Sequence, residues 1–183
     1  MARNSMGLIE LSSIAAGFQV GDAMLKAAHV ELLLARSICS GKYMVMVRGD
    51  VAAVQSSVQT GCQAGDFSVI DSFVIPNLHE SVFPAVTGVH KAEDLDALGI
   101  IESFSVASLI EAADAAVKTA NVTLIEIRLA MALGGKAFVT LTGSVAAVRS
   151  AVDAGAAVIA AKGLLTNKVV IPQPREELLN EMI

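Results

Sequence analysis

Few features that announce a chemistry are present in this sequence. Only two cysteines occur among 183 residues, Cys39 and Cys62, too few for a disulfide scaffold. Basic side chains are the minority. Thirteen Lys and Arg against 18 Asp and Glu leave a net charge of −5, the wrong sign for a surface that tracks phosphates, so no nucleic acid is expected as a partner. Long uncharged runs are missing too: the longest, Val51 to Gly65, stops at 15 residues. A membrane span needs roughly 18, so no membrane is expected as a partner. The opening residues Met1-Ala2-Arg3-Asn4-Ser5 lead into no apolar stretch with a small-residue cleavage site. No secretory signal is read, a cytoplasmic location is expected, and both cysteines stay thiols there. Without secretion the triplet Asn121-Val122-Thr123 carries no meaning as a glycosylation site. Cys-x-x-Cys and His-x-x-x-His pairs are absent, and His29, His79 and His90 form no metal spacing. No Ser/His/Asp set and no pair of carboxylates recurs at catalytic spacing, so an enzyme is not expected.

Apolar residues are what the chain has in quantity. They make up 54% of it against 17% charged, which excludes intrinsic disorder and provides for a core.

The chain also repeats itself. Gly7-Leu8-Ile9-Glu10 returns as Gly99-Ile100-Ile101-Glu102, a shift of 92, and 11 of the 27 positions from 6 to 32 are identical at that shift. The shift becomes 94 where Gly41-Lys42 matches Gly135-Lys136 and Val51-Ala52-Ala53-Val54 matches Val145-Ala146-Ala147-Val148. It reaches 96 where Val74-Ile75-Pro76 answers Val170-Ile171-Pro172. Each step is a two-residue insertion, tolerable in a loop. Two copies of one domain are therefore expected, at 4–93 and 97–183, joined near the charged stretch Lys91 to Asp96.

Each copy reads as strand, helix, two strands, helix, strand. Gly7 to Leu11 is the first strand, and Ser12 or Ser13 caps the helix after it. The stripe Ile14, Phe18, Gly21, Leu25 and Ala28 is expected to face the core, repeated by Val106, Ile110, Ala113, Val117 and Ala120. Val30 to Ala35 and Tyr43 to Val47 read as strands around a turn at Cys39-Ser40-Gly41. In the second helix Val51, Val54, Val58 and Cys62 share a face, answered by Val145, Val148, Val152 and Ala156. Phe67 to Ile75 supplies the last strand. The fold class is α+β, a small sheet with helices on one face, present twice.

Cys62 lies on an apolar helix face and is matched by Ala156, so it reads as a small core residue. Cys39 sits in a turn, where it is either an inert thiol or a ligand. One thiolate per chain cannot build a zinc or iron–sulfur site, which takes three or four ligands, so a cluster requires symmetry to bring copies of the turn together. Lys26 and Lys118 follow Asp22 and Asp114 by four residues and read as solvated helical ion pairs. Gly41-Lys42 and Gly134-Gly135-Lys136 look faintly like phosphate loops but lack the earlier Gly, replaced by Arg36 and Ala130, and the final hydroxyl, replaced by Tyr43 and Ala137.

Taken together, the duplicated Gly-Leu/Ile-Ile-Glu strand, the segment Asp22-Ala23-Met24-Leu25-Lys26-Ala27-Ala28-His29-Val30 and the Gly-Lys turns resemble the bacterial microcompartment shell proteins. Two copies in one chain resemble the tandem-domain trimer class of that family, whose domain is of the ferredoxin-like, BMC type. Within it, Ser37-Ile38-Cys39-Ser40-Gly41-Lys42 is similar to the propanediol-utilisation type. The resemblance implies a homotrimer forming a flat pseudo-hexameric tile in a microcompartment shell. Its central pore is then lined by Ile38, Cys39, Ser40 and Gly41 of one copy and Leu133, Gly134 and Gly135 of the other. It further implies a 4Fe-4S cluster shared by the trimer, one Cys39 per chain, with electron transport across the shell or cluster delivery as its use and an encapsulated redox enzyme as a partner. The alternative is a passive tile whose pore conducts small polar metabolites. A two-domain sensor or enzyme with a small molecule between its copies is the remaining reading. Lys26 and Lys118 fall at the implied tile edge, where other shell proteins meet it. Asn77 and Gln173 stand there in place of an Arg common in the family, with His79 and Arg175 at its histidine position.

Overall fold

The computed structural model describes residues 4–88, 95–129, 133–175 and 177–178. His90 and most of the joining stretch 91–96 lie outside the described residues. The chain divides into two compact units between Leu78 and His79. The segment 79–88, which the sequence pattern assigns to the first copy, therefore packs with the second.

In the first unit β1 (Ser5–Leu11) leads into α1 (Ile14–Ala27), then β2 (Glu31–Ile38), β3 (Lys42–Gly49), α2 (Val51–Gly65) and β4 (Val69–Ile75). The strand order is β2-β3-β1-β4, antiparallel throughout, the ferredoxin-like arrangement of a split βαβ. The second unit opens with α3 (Val82–Thr87). It then repeats the plan as β5 (Ala97–Ser103), α4 (Val106–Thr119), β6 (Thr123–Leu129), β7 (Ala137–Gly143), α5 (Val145–Ala160) and β8 (Leu165–Pro172), in the order β6-β7-β5-β8. No described helix is long and apolar enough to cross a membrane.

Alternation sorts the residues of each sheet. Ile9, Leu11, Tyr43, Val45 and Val47 face Val20, Met24, Val54 and Val58 of the helices and form the first core. Gly7 lies in the same row because nothing larger fits: a Cβ there would fall 2.5 Å from Val58 Cγ2, and at Gly99 2.7 Å from Val152 Cγ2. That close approach of strand and helix accounts for the repeated glycine. Four helices start on a side-chain cap, at Ser13, Asp50, Ser105 and Ser144. Asp50 accepts from the Ala53 amide at 2.9 Å. Its replacement by Ala is expected to lower unfolding free energy by about 1 kcal/mol in urea titrations, and an unchanged midpoint would deny the cap any weight.

The buried face of α1 differs from the expected stripe. Gly17, Val20, Gly21 and Met24 are buried, whereas Ile14, Phe18 and Leu25 are 43%, 67% and 42% exposed. Small residues decide this, because Gly17 receives the ring of Tyr43, 2.2 Å from where a Cβ would stand, and the helix turns that side to the sheet. In α4, by contrast, Val106, Ile110 and Ala113 are buried as the pattern expects, with Val117 and Ala120 half-buried. Val51 at the start of α2 is exposed, and Cys62 is half-buried against the core. The last strand of the first unit begins at Val69 rather than Phe67, which is 94% exposed in a turn where Asp66 has φ 45°.

Candidate functional site

The turn that carries Cys39 closes the β2–β3 hairpin. Ile38 is buried at the end of β2, Cys39 is half-buried, and Ser40 and Gly41 are exposed with φ of 65° and 72°. Two consecutive left-handed residues let three residues reverse the chain. The pair recurs in the second unit at Gly134 and Gly135, φ 61° and 88°, directly after half-buried Leu133, whose carbonyl accepts from the Lys136 amide at 3.2 Å.

Beside each turn stands an ion pair that the sequence pattern does not announce. Lys42 Nζ lies 2.7 Å from Glu10 Oε1, and Lys136 Nζ 2.9 Å from Glu102 Oε1. The lysine directly after the turn, which opens β3 in the first unit and precedes β7 in the second, reaches the carboxylate near the end of the neighbouring strand where the turn ends. The lysine's recurrence after the turn and the glutamate's in the first strand were the available signals. Only the strand register joins them.

Neither cysteine is in a disulfide. Among the described residues of one chain, no three His, Cys, Asp or Glu gather in a way that could hold a metal ion. Cys62 packs against the core and is no ligand candidate. His29 is exposed, and His79 is exposed with Nδ1 2.8 Å from Ser81 Oγ. The only ligating side chain on the turn itself is the Cys39 thiol.

The residues that the resemblance implies for a tile edge sit elsewhere. Lys26 and Asp22 pair at 2.5 Å, and Lys118 and Asp114 at 2.6 Å. The i,i+4 pair is present in both units, solvated in the first and half-buried at Asp114 in the second. Asn77 and Gln173 both adopt left-handed backbone after β4 and β8, φ 55° and 48°. The amide of His79 donates to Asp114 at 2.7 Å, and exposed Arg175 pairs with Glu177 at 2.7 Å, which holds that carboxyl below its ordinary range.

Strand register places the two groups at opposite ends of each sheet. Leu11 lies opposite Tyr43 and Ile38 opposite Lys42, at the turn end. Ser5 pairs with Gly49 and Met6 with Ile75 at the other end, where α1 finishes at Lys26 and the chain leaves toward Asn77. The second unit repeats the division, with Leu133 to Gly135 at one end and Lys118 and Gln173 at the other.

Each unit is a ferredoxin-like domain with a hairpin connection at one end and a lysine-bearing helix end at the other, and the family comparison gives this plan its class. Residues 5–78 and 97–174 each match the BMC domain, and the chain belongs to that family, the shell proteins of bacterial microcompartments. It is 44% identical over 179 residues to the bacterial microcompartment shell protein PduT of Citrobacter freundii, covering 98% of this chain and 97% of that one. One copy alone corresponds to the shell protein EutM of Escherichia coli, 42% identical over 85 residues, which span 44% of this chain and 88% of EutM. Among solved structures, a microcompartment protein of Desulfitobacterium hafniense superposes with a TM-score of 0.95 at 52% identity, covering 98% of this chain and 99% of that one. The protein is thus a structural shell component and not an enzyme.

Proposed function

We propose that this shell tile is a homotrimer, pseudo-hexameric because each chain contributes two domains, whose central pore is lined by the turns at 38–41 and 133–135. The observation that carries the reading is the solitary thiol on one of the two turns. Three chains offer three Cys39 thiolates around an axis, alternating with Leu133, which ligates nothing. Three thiolates can hold three of the four irons of a 4Fe-4S cluster and leave the fourth to a non-protein ligand, and such a cluster would form across chains, since among the described residues one chain gathers no metal-binding group of its own. When bound, the cluster supplies one-electron chemistry. The chain's part is to hold the sulfur on a three-residue turn beside the Lys42–Glu10 ion pair. Electron transfer across the shell to an encapsulated redox enzyme, or delivery of the cluster, follows from that placement. Visible absorption, EPR and iron content of the anaerobically prepared protein test this. A colourless protein after iron–sulfur reconstitution would leave a passive tile whose pore passes small polar metabolites.

Lys26 and Lys118, with Asn77, His79, Gln173 and Arg175, form the edge that meets neighbouring shell proteins in this reading. Changing both lysines to Ala is expected to abolish extended sheets in electron micrographs while moving the unfolding midpoint little, because helical i,i+4 pairs contribute about 0.3–0.5 kcal/mol each and both lysine side chains reach solvent. Sheets of normal extent in the double variant would take the lysines out of the contact.

A further inference from the structure

Each sheet ends in an outer strand, β4 in the order β2-β3-β1-β4 and β8 in the order β6-β7-β5-β8. An outer strand is a template on which the strand of another chain can pair. β4 is well suited to that. It reads Val69-Ile70-Asp71-Ser72-Phe73-Val74-Ile75, β-branched or aromatic apart from Asp71 and Ser72, and Ile70 is 45% exposed beside exposed Asp71 and Ser72. In β8 the residues Asn167, Lys168 and Val169 are exposed. Short segments rich in β-formers and low in charge are the ones that stack on one another.

The direction of the backbone amides limits what that edge offers. The Gln173 amide donates to the Asp96 carbonyl at 2.8 Å, across the end of the ladder in which Ala97 lies opposite Pro172. That bond makes Ala97 and Pro172 a pair whose own backbone groups point away from each other, and in an antiparallel ladder such pairs alternate with hydrogen-bonded ones. Pro172, Val170 and Lys168 therefore aim their backbone groups outward from β8. Pro172 has no amide to give. The Lys168 amide is already taken, because Asn167 Oδ1 accepts from it at 2.9 Å. β4 repeats the arrangement: Ser72 lies opposite Ile9 as Lys168 lies opposite Ile101, and Asp71 Oδ1 accepts from the Ser72 amide at 2.8 Å. Pro76 follows β4 where Pro172 ends β8. Next to each filled amide the pairing slips, between Glu10 and Leu11 and between Glu102 and Ser103, so that Ile70 and Thr166 are passed over, and a bulge of this kind turns an edge out of line for a newcomer.

We propose that Asp71 and Asn167 close the outer edges of the two sheets to strand pairing with a second copy of this chain. The residue differs between the copies, an acid in one and an amide in the other, and what they share is the oxygen on the next backbone amide. The acceptor is therefore the working part and the charge is incidental. An incoming strand meets a donor that is already bonded, and that bond has to break before pairing begins.

The test compares two full-length variants with the wild type. The double change Asp71→Leu, Asn167→Leu removes both acceptors, and Asp71→Asn removes the charge while keeping the acceptor. Thioflavin T fluorescence and electron micrographs follow association. The double leucine variant is expected to form β-rich filaments several-fold faster than the wild type, and Asp71→Asn is expected to match the wild type. A double variant that associates no faster overturns the proposal. Filaments that form as fast in Asp71→Asn as in the double variant also overturn it, because the charge is then what protects the edge. Hydrogen exchange on a third variant, Asp71→Ala with Asn167→Ala, reads the closure itself without adding apolar bulk. Its Ser72 and Lys168 amides are expected to exchange several-fold faster than those of the wild type, and unchanged rates at both positions refute the closure.

Discussion

Replacing Cys39 by Ser is expected to remove iron and visible absorption from the anaerobically prepared protein, leaving its mass in solution and its unfolding midpoint where they were. The exchange is nearly isosteric and lies on a half-buried turn outside the core, so the fold has little to lose. In the proposed trimer the ligand set has everything to lose, because symmetry multiplies the single change: one substitution in the gene removes all the thiolates of the site together. A serine hydroxyl is a hard donor that stays protonated at neutral pH, and iron–sulfur clusters are held by soft thiolates. Cys62→Ser is the matched control. Its side chain packs against the core formed by Ile9, Val58 and their neighbours, and a hydroxyl there costs about 1–3 kcal/mol if it stays unpaired while the iron remains. Iron that persists unchanged in Cys39→Ser would remove Cys39 from the ligand set.

Gly155→Leu is expected to be the most damaging single change for the fold. The helices α4 and α5 touch through this position, where a Cβ would fall 2.7 Å from the Ala112 carbonyl oxygen and 2.7 Å from Ile101 Cδ1. A side-chain tip can swing aside, but a backbone carbonyl moves only with its helix. Overpacking of this kind costs about 3 kcal/mol or more. At roughly 2–4 °C per kcal/mol for a chain of this size, the melting temperature falls on the order of 10 °C. Gly88→Ala provides the contrast, since nothing lies within 4 Å of a Cβ there and its φ of −161° is ordinary extended backbone. Its effect is expected to stay within about 0.5 kcal/mol. Equal melting temperatures for the two variants would mean that the helix contact gives way freely.

The duplication, the order of the repeated elements, the cap of α1 and the Cys39 turn are all legible in the amino-acid sequence, because each rests on neighbours or on literal repetition. Position within the assembled sheet is less so. The apolar stripe of α1 points at the core on hydropathy alone, yet Gly17 and Gly21 are the residues that touch the sheet, since closeness of approach favours the smallest side chains over the most apolar. Phe67 looks like a strand residue and lies outside the strand, because Asp66 and Ser68 close a turn around it. The short helix 82–87 escapes periodicity by its length. Glu10 and Lys42 are 32 positions apart and meet through register, which no local pattern encodes.

The division of each sheet into a turn end and a lysine end has an engineering consequence. Strands such as β3 are eight residues long, which sets the two ends roughly 25 Å apart, and screening by salt mutes charges across such a distance. In the proposed tile, loop sequences at 38–41 and 133–135 can then be exchanged as interchangeable inserts, neutral, charged or metal-binding, without redesigning the border by which one panel would adjoin the next. On that reading, permeability and lattice become separately adjustable properties of a single polypeptide.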